Sequence, residues 1–355
     1  VPARATVLST AIAVPQNAVS TEDVKAYFPK AFAFDTGDER RLATIHSVID
    51  HACIRTRYML FPLDYTIQPR PLEKISCEYK THAIALGRSA AEKALEDARL
   101  RPDEVDVIIT VSCTGVMIPS LDAYLINLMG FRSDVKRLPV TELGCAAGAA
   151  ALGRAADYIR AYPEANVLIV AVELPSLTFQ AADRSPANLI SCCLFGDGAA
   201  AAVVSGNAQS GLRIVDSQSH LIPGSLDAMG FDLRSGGFHI VLSKDVPQLI
   251  RTEIGAITDR LLAKNNLTRE DLAFSVLHPG GRKLLCGIEE ELGLSRESTR
   301  PSWKVLEDYG NLSSATVLFV LKEFLAQPAP PSGSHGLLAA FGPGFSAEMA
   351  LLQWN

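Results

Sequence analysis

The sequence predicts a layered α/β fold that is duplicated within the chain. In the first half, a helix is followed by the segment 100–106 and by the apolar strand 107–111. In the second half, a helix is followed by the segment 267–272 and by the strand 273–277. The first strand shows little alternation of polar and apolar residues, as in a sheet covered on both faces. The repeated order predicts two related halves of layered α/β structure.

Later elements repeat at nearly the same intervals. A helix start at Cys145 and a strand at 166–170 complete the first set, and a helix start at Asn311 and a strand at 336–340 complete the second. A coincidence of common α/β spacings is the alternative explanation. The agreement at several positions favours a duplication.

A turn-rich segment at 205–211 separates the two sets of elements. Glycine, asparagine and serine in such a cluster are typical of a connection between periodic segments. We therefore expect a first half over residues 1–207, which carries the cysteine, and a second half over residues 208–355.

The elements before the duplicated part are predicted from apolar runs, helix-start residues and prolines. In chain order they are a strand at 5–13, a helix start at 20–23, a helix at 38–53, a strand at 55–60, a proline-punctuated loop at 62–71 and a long helix at 73–100.

The composition limits the class of protein. The 355 residues carry a net charge of −6 and include 48% hydrophobic residues. Without a Lys/Arg run, the acidic chain gives no indication of nucleic-acid binding, and no apolar stretch approaches the length of a membrane span. The seven scattered cysteines contain no CxxC pair. They predict a reducing cytoplasmic location and neither a disulfide framework nor a metal site.

Cys145 is a candidate nucleophile. It follows Gly144 and precedes an alanine-rich segment that is predicted to form a buried helix. A cysteine on the first turn of a helix faces unpaired backbone N–H groups and the positive end of the helix dipole, which favour the thiolate. The alternative is a small buried hydrophobic residue, the usual role of an unpaired cysteine.

His278 and Asn311 occupy corresponding ends of elements in the second half. His278 ends the strand 273–277, and Asn311 opens the helix that matches the one at Cys145. If the halves pack about a pseudo-two-fold axis, the three side chains meet. A histidine can then activate the thiol, and its N–H together with an asparagine amide can bind a carbonyl oxyanion. Separately, the histidine could bond to backbone and the asparagine could cap a helix.

Five motifs resemble those of one enzyme family, the type III polyketide synthases of the chalcone synthase group, which belong to the thiolase superfamily. These motifs are Gly144-Cys145 and the segments 194–200, 278–281, 310–314 and 341–344. The resemblance spans essentially the whole chain and implies a thiolase-like αβαβα fold and a homodimer. It also implies repeated decarboxylative condensation of malonyl-CoA onto an acyl-CoA starter, with no carrier protein and no cofactor.

The resemblance also implies roles for individual residues. Cys145 would hold the acyl chain as a thioester, and His278 and Asn311 would stabilise the enolate and the oxyanion. Phe195 and Phe238 would be the aromatic gatekeepers between the CoA tunnel and the cavity. The remaining positions that align with cavity-lining residues are Cys113, Ile118, Thr178, Met229 and Ser313. Ile118 precedes Pro119 in a loop that crosses the dimer in the family.

Departures from the plant enzymes indicate a different starter. Cys113 stands where they have threonine and Met229 where they have glycine, and the segment 227–232 is similar to bacterial alkylpyrone and alkylresorcinol synthases. These enzymes use long fatty acyl starters, so we expect a medium- to long-chain acyl-CoA here. The three basic CoA-binding residues of the plant helix align with Thr44, Ser47 and His51, which leaves the phosphate contacts open.

Other functions remain as alternatives. A chalcone synthase-like or tetrahydroxynaphthalene-type enzyme with another starter would share every motif. A ketoacyl-ACP synthase III-like enzyme would share the fold and the Cys-His-Asn set, but it would need a basic face for its carrier protein. A non-catalytic acyl-binding protein would have no use for the three polar residues. The absence of a Gly-x-Ser-x-Gly elbow and of a Gly-x-Gly-x-x-Gly turn argues against a serine hydrolase and a dehydrogenase.

Overall fold

The computed structural model describes residues 4–34, 37 and 39–355. Thirteen strands are found there, and nine of them form one sheet. In chain order the strands are β1 Ala5–Ala13, β2 Asn17–Ser20, β3 Thr56–Met59, β4 Val107–Val111, β5 Lys136–Val140, β6 Asn166–Glu173, β7 Gly198–Ser205, β8 Leu212–Leu221, β9 Met229–Arg234, β10 Gly237–Leu242, β11 Leu272–Leu277, β12 His335–Gly342 and β13 Ser346–Trp354.

The described residues contain a helix near each predicted position and further helices that were not predicted. In chain order they are α1 Thr21–Ala31, α2 Glu39–His51, α3 Leu63–Thr66, α4 Leu72–Ala98, α5 Leu121–Met129, α6 Ala147–Ala161, α7 Pro186–Leu194, α8 Val246–Lys264, α9 Arg282–Leu292, α10 Arg300–Tyr309 and α11 Thr316–Leu325. The short helix α3 lies within the predicted loop 62–71. No described helix is long and apolar enough to cross a membrane.

The large sheet shows the duplication directly. Its strand order is β11-β12-β13-β8-β1-β7-β6-β4-β5. In the first half β4 pairs with β6 in parallel, β6 with β7 antiparallel and β7 with β1 antiparallel. In the second half β11, β12, β13 and β8 repeat these pairings in the same order. The halves join where Ala5–Val7 of β1 pair with β8, so the predicted internal duplication is confirmed.

Three hydrophobic clusters define five layers. One cluster joins α6 and α11 to one face of the strands from both halves. A second packs α4 against the other face of the first-half strands, and a third packs α8 and α9 against the other face of the second-half strands. The two halves of the nine-stranded sheet thus form two separate layers between three layers of helices, which is the expected αβαβα architecture.

The central layer is possible because α6 consists largely of small residues. Ala147, Ala151 and Ala155 are buried, and Gly148 approaches the second half so closely that a Cβ atom there would overlap the carbonyl oxygen of Ser314. Glycine in a helix interior costs roughly 1 kcal/mol relative to alanine. Here it lets the starts of α6 and α11 meet, which determines where the candidate site lies.

Candidate active site

Cys145 lies in a single 3₁₀ turn, Gly144–Ala146, immediately before α6. The helix therefore begins slightly later than predicted. Gly144 has φ of +50°, and a side chain there would overlap Pro343. Cys145 is only 7% exposed. The glycine lets the chain turn sharply against the 341–344 motif and holds the thiol at the inner end of a cavity.

Ser313 links Cys145 to the second half of the chain. The Cys145 thiol donates a hydrogen bond to Ser313 Oγ at 3.3 Å. Ser313 Oγ also lies 3.2 Å from the sulfur of Cys113. One hydroxyl therefore bridges two thiols, and Ser313 and Cys113 are placed beside the candidate nucleophile as the resemblance implied.

Asn311 contacts Ser313 directly, and His278 is linked to Asn311 through Gly280. The Ser313 backbone N–H donates to Asn311 Oδ1 at 2.8 Å, and Asn311 Nδ2 donates to the carbonyl oxygen of Gly280 at 3.3 Å. Gly280 is next to the His278 ring: a Cβ on Gly280 would lie 3.5 Å from Nε2. Hydrogen bonds thus connect Cys145 to Asn311 through Ser313, and Gly280 connects Asn311 to His278. Asn311 precedes the turn Ser313–Ala315 and does not itself open α11.

Burial keeps the thiol and the imidazole neutral. It raises the pKa of Cys145 to about 12, although the hydrogen bond between this thiol and Ser313 acts in the opposite direction. It lowers the pKa of His278 to about 4, and Nδ1 of His278 has no hydrogen-bond partner among the described residues. The expectation that the helix N-terminus lowers the pKa of Cys145 is therefore wrong, because that pKa is raised. Desolvation, which disfavours charge, outweighs the helix terminus.

Glu173 is a site residue that the sequence analysis missed. It is fully buried at the end of β6 and accepts hydrogen bonds from the Cys113 backbone N–H (3.1 Å), from Thr114 Oγ1 (2.8 Å) and from Ser314. Burial raises its pKa. The sequence did offer a signal for Glu173, since this residue is a carboxylate at the end of an apolar strand. Parallel strands of one sheet end at the same edge, so Glu173 at the end of β6 lies near the residues that follow β4.

The cavity in front of Cys145 has a volume of about 400 Å³, within the usual range for small-molecule sites. Six further predicted residues line it with Cys145: Cys113, Thr178, Phe195, Met229, Phe238 and Ser313. Met229 and Phe238 belong to the two-stranded sheet β9–β10, which forms one wall. Among the described residues, no group of three or more His, Cys, Asp or Glu could hold a metal.

The two gatekeeper candidates are held by different means. Phe195 pairs through its backbone with Asn311, and it precedes the buried Asp197, which accepts hydrogen bonds from the backbone N–H groups of Leu60 and Ser176, both at 2.8 Å. Phe238 packs edge-on against Phe231, with ring centroids 5.6 Å apart. Phe231 also lines the cavity and was not predicted as a site residue.

Ile118 differs from the other predicted cavity residues. It is 93% exposed and is not part of the wall that this chain forms around the cavity. Val116, in the same loop, does line the cavity and is also exposed. Within this chain, therefore, Ile118 is a surface residue, and the chain on its own does not show the cavity role implied by the resemblance.

The duplicated five-layer fold, with a buried cysteine before its central helix, defines the class as a thiolase-like condensing acyltransferase. Residues 2–208 match the N-terminal domain of chalcone and stilbene synthases, and residues 213–354 match their C-terminal domain. The chain therefore belongs to the chalcone and stilbene synthase family, and it is a type III polyketide synthase.

Relatives from bacteria cover almost the whole chain. A 1,3,6,8-tetrahydroxynaphthalene synthase of Streptomyces coelicolor is 37% identical over 351 residues, which are 99% of this chain and 92% of that protein. A putative chalcone synthase of Bacillus subtilis is 34% identical over 98% of both chains. The crystal structure of the Streptomyces coelicolor enzyme superposes with a TM-score of 0.94 at 36% identity, covering 99% of each chain.

Proposed function

We propose that this polyketide synthase condenses a medium- to long-chain acyl-CoA starter with malonyl-CoA, and that it forms alkylpyrones or alkylresorcinols. The observation that carries this proposal is the cavity, whose wall beyond Cys145 is largely aliphatic and aromatic. Such a wall suits an alkyl chain better than a phenolic starter. Each CH₂ group that leaves water contributes roughly 0.8 kcal/mol.

In the proposed reaction, Cys145 sulfur attacks the thioester carbonyl of the starter, its proton passes to the His278 imidazole and from there to the sulfur of CoA, and CoA leaves as the free thiol. Malonyl-CoA then loses CO₂, and the electron pair of the broken C–C bond forms an enolate. The enolate carbon attacks the acyl group on Cys145. Formation of the new C–C bond releases the cysteine sulfur and leaves the extended chain as a thioester of CoA. Transfer of this chain back to Cys145 releases CoA and prepares the next condensation.

The neutral state of the site supports this assignment of roles. With a pKa of about 4, His278 is uncharged at neutral pH, and a neutral imidazole N–H and the Asn311 amide are suitable donors to a thioester oxygen. Charge then appears only as the enolate or oxyanion forms. Donors in a buried site stabilise that charge more than they would in water.

Met229 and Cys113 support the choice of starter. Both line the cavity, and both are larger or softer than the residues of the plant enzymes at these positions. Methionine is flexible and polarizable and adapts to an alkyl chain. Met229 could instead only reduce the cavity, in which case short starters would be preferred.

A second candidate function is the formation of tetrahydroxynaphthalene from malonyl-CoA alone. The 37% identity to a tetrahydroxynaphthalene synthase over 99% of the chain favours it. The ten ring carbons of naphthalene correspond to five two-carbon units, each of which malonyl-CoA can provide after loss of CO₂. No alkyl starter would therefore be needed. The same cavity would then hold a folded polyketide without an alkyl tail.

We also propose that the enzyme is a homodimer in the cytosol. The exposed Val116 and Ile118 support the dimer, because together they present apolar surface next to the cavity. The seven free cysteines support a reducing compartment. Sedimentation of wild type and of Ile118→Asp tests the assembly: a wild-type dimer that becomes a monomer is expected, and a wild-type monomer would contradict it.

The deciding experiment is a starter panel. The protein is incubated with malonyl-CoA and with acetyl-, hexanoyl-, dodecanoyl-, hexadecanoyl- or coumaroyl-CoA, and products are identified by mass, with Cys145→Ala as the control. In wild type we expect kcat/KM to rise with the chain length of the starter. In Met229→Gly we expect kcat/KM for the long-chain starters to be lower than in wild type. A preference for coumaroyl-CoA, or tetrahydroxynaphthalene as the main product in the presence of fatty starters, would overturn the proposal and leave the family intact.

A further inference from the structure

We propose that Arg57 is a positioning residue, which holds the end of α7 and, through α7, the backbone of Asn311. This inference rests on the proposed role of Asn311 and adds a residue that keeps it in place. Arg57 belongs to β3 and borders the cavity that contains Cys145, although only 1% of Arg57 is exposed. None of the five family motifs contains Arg57.

Arg57 and Asn311 both bind carbonyl groups at the end of α7. The last four carbonyl groups of a helix have no partner within that helix. In α7, those of Cys192 and Cys193 accept hydrogen bonds from Nη1 of Arg57. That of Leu194 accepts the backbone N–H of Asn311 at 2.9 Å. The guanidinium also places a positive charge at the negative end of the helix dipole, which is favourable.

The residues around the end of α7 bind the backbone of Asn311 on both sides. Besides the hydrogen bond to Leu194, the carbonyl oxygen of Asn311 accepts the backbone N–H of Gly196 at 3.0 Å. Phe195 lies between these two residues and pairs with Asn311. A shift of the last turn of α7 would therefore move Phe195 and Asn311 together. A displacement of about 1 Å caused by a distant residue can lower a rate by about 100-fold.

Strand β3 also contacts the segment that follows Phe195. The carbonyl oxygen of Tyr58 accepts the backbone N–H of Asp197 at 2.8 Å. A Cβ atom on Gly196 would lie 3.2 Å from the Cβ atom of Arg57. The backbone of β3 thus supports the chain after Phe195, and the guanidinium of Arg57 supports the chain before it.

Burial of Arg57 is unfavourable for stability. Its Nε and Nη2 are enclosed by the protein without a partner among the described residues, and burial lowers its pKa to about 10. In the described part of the chain no carboxylate pairs with the guanidinium.

This cost supports a role in geometry. A buried charge without a counter-ion lowers stability, and residues that lower stability are expected at functional sites. The enclosed nitrogens of Arg57 do not reach the open space of the cavity, so they are not placed to bind substrate. The hydrogen bonds to the end of α7 are the contacts through which Arg57 can affect the reaction.

The first test measures malonyl-CoA decarboxylation as ¹⁴CO₂ release, which does not depend on the preferred starter. Arg57→Met removes the donors and keeps an unbranched side chain. We expect kcat to fall by about tenfold or more and the midpoint of urea unfolding to stay the same or rise, because the buried charge is removed. Arg213→Met is the matched control: Arg213 also has an enclosed Nε without a partner among the described residues, but it does not line the cavity. Its kcat should be unchanged.

The second test asks whether Arg57 acts through Asn311. Residues that act as a unit have strongly non-additive effects on the rate. In an Asn311→Ala background, Arg57→Met should therefore lower kcat for decarboxylation by less than about twofold, compared with about tenfold in wild type. The same factor in both backgrounds would overturn the proposal. Arg57→Lys keeps a cationic donor, so its kcat should lie between those of wild type and Arg57→Met. A value equal to that of Arg57→Met would also contradict the proposal.

The outcomes separate this inference from the proposed function. If Asn311→Ala leaves decarboxylation unchanged, the proposed role of Asn311 fails and the role of Arg57 with it. If Asn311→Ala lowers decarboxylation and Arg57→Met does not, only the role of Arg57 is wrong. If Arg57→Met does not fold, which circular dichroism shows, Arg57→Lys replaces it in both backgrounds. A loss of kcat only where Asn311 is present would then support the proposal, and any other result would overturn it.

Discussion

The turns before α6 and α11 occupy corresponding positions in the two halves, and both contain a residue with φ of +50°. In the first half that residue is Gly144, and in the second half it is Ser313. Glycine adopts this conformation freely, whereas serine is strained there. The two turns thus use the same geometry for different purposes. One lets the chain pass Pro343 closely, and the other aims a hydroxyl at two thiols.

The comparison extends to the side chains that the turns present. The first-half turn carries the candidate nucleophile Cys145, and the second-half turn follows the amide of Asn311. The duplicated backbone therefore places unlike functional groups opposite each other. The two halves share the backbone geometry of these turns, and they differ in the functional groups that the turns carry.

The largest expected effect comes from removing either functional group. Cys145→Ala should abolish acylation, because the turn Gly144–Ala146 contains no other nucleophilic side chain. His278→Ala and Asn311→Ala should each lower kcat for malonyl-CoA decarboxylation by about 10²- to 10³-fold, as does loss of one oxyanion donor. Acyl-enzyme mass and ¹⁴CO₂ release measure the two steps. A Cys145→Ala enzyme acylated on the same peptide would contradict the division of roles.

The next prediction tests the glycine of the first turn. Gly144→Ala should destabilise the protein by roughly 2 to 4 kcal/mol, because the new Cβ overlaps Pro343 and the residue has positive φ. Urea unfolding measures the free energy. Gly130→Ala is the control, since it also has positive φ but no atom within 4 Å of the added Cβ. If both variants lost the same free energy of unfolding, backbone strain at positive φ, without the contact to Pro343, would explain why position 144 requires glycine.

A pH dependence should arise in the second half from His278. Its pKa is lowered from 6.5 to about 4 by burial, so as the pH falls below 6.5 the unfolded chain binds a proton that the folded chain does not. Stability should therefore be lost between pH 6.5 and 4, by about 3 kcal/mol for this group. The difference in unfolding free energy between wild type and His278→Gln, measured across this range, isolates it from other groups. A difference independent of pH would refute the assignment.

The smallest expected effect concerns Ser313 itself. Ser313→Gly should relieve the backbone strain and offset the loss of the hydroxyl contacts, so that stability changes by no more than about 1 kcal/mol. Ser313→Ala keeps the strain and should be the less stable of the two. Both variants lose the bridge between Cys113 and Cys145, and thermal unfolding together with kcat separates strain from function. Equal stability of the two variants would argue against strain at this turn.

Several parts of the fold were predictable because they depend on local patterns. The apolar strand and the long helix appear as β4 and α4, close to the predicted bounds. The nearly equal intervals from Leu100 to Cys145 and from Leu267 to Asn311 predicted the duplication, because related halves repeat both the elements and the connections between them. The pairing order of the sheet then confirmed it.

The sequence by itself thus determined the duplication and the family, and it supplied three candidate catalytic residues. Only the tertiary structure decided the burial that raises the pKa of Cys145, the place of Glu173 and the surface position of Ile118. The physical reason is distance along the chain. Ser313 reaches Cys145 from 168 residues away, and desolvation depends on every layer packed around the site, which no local pattern of residues records.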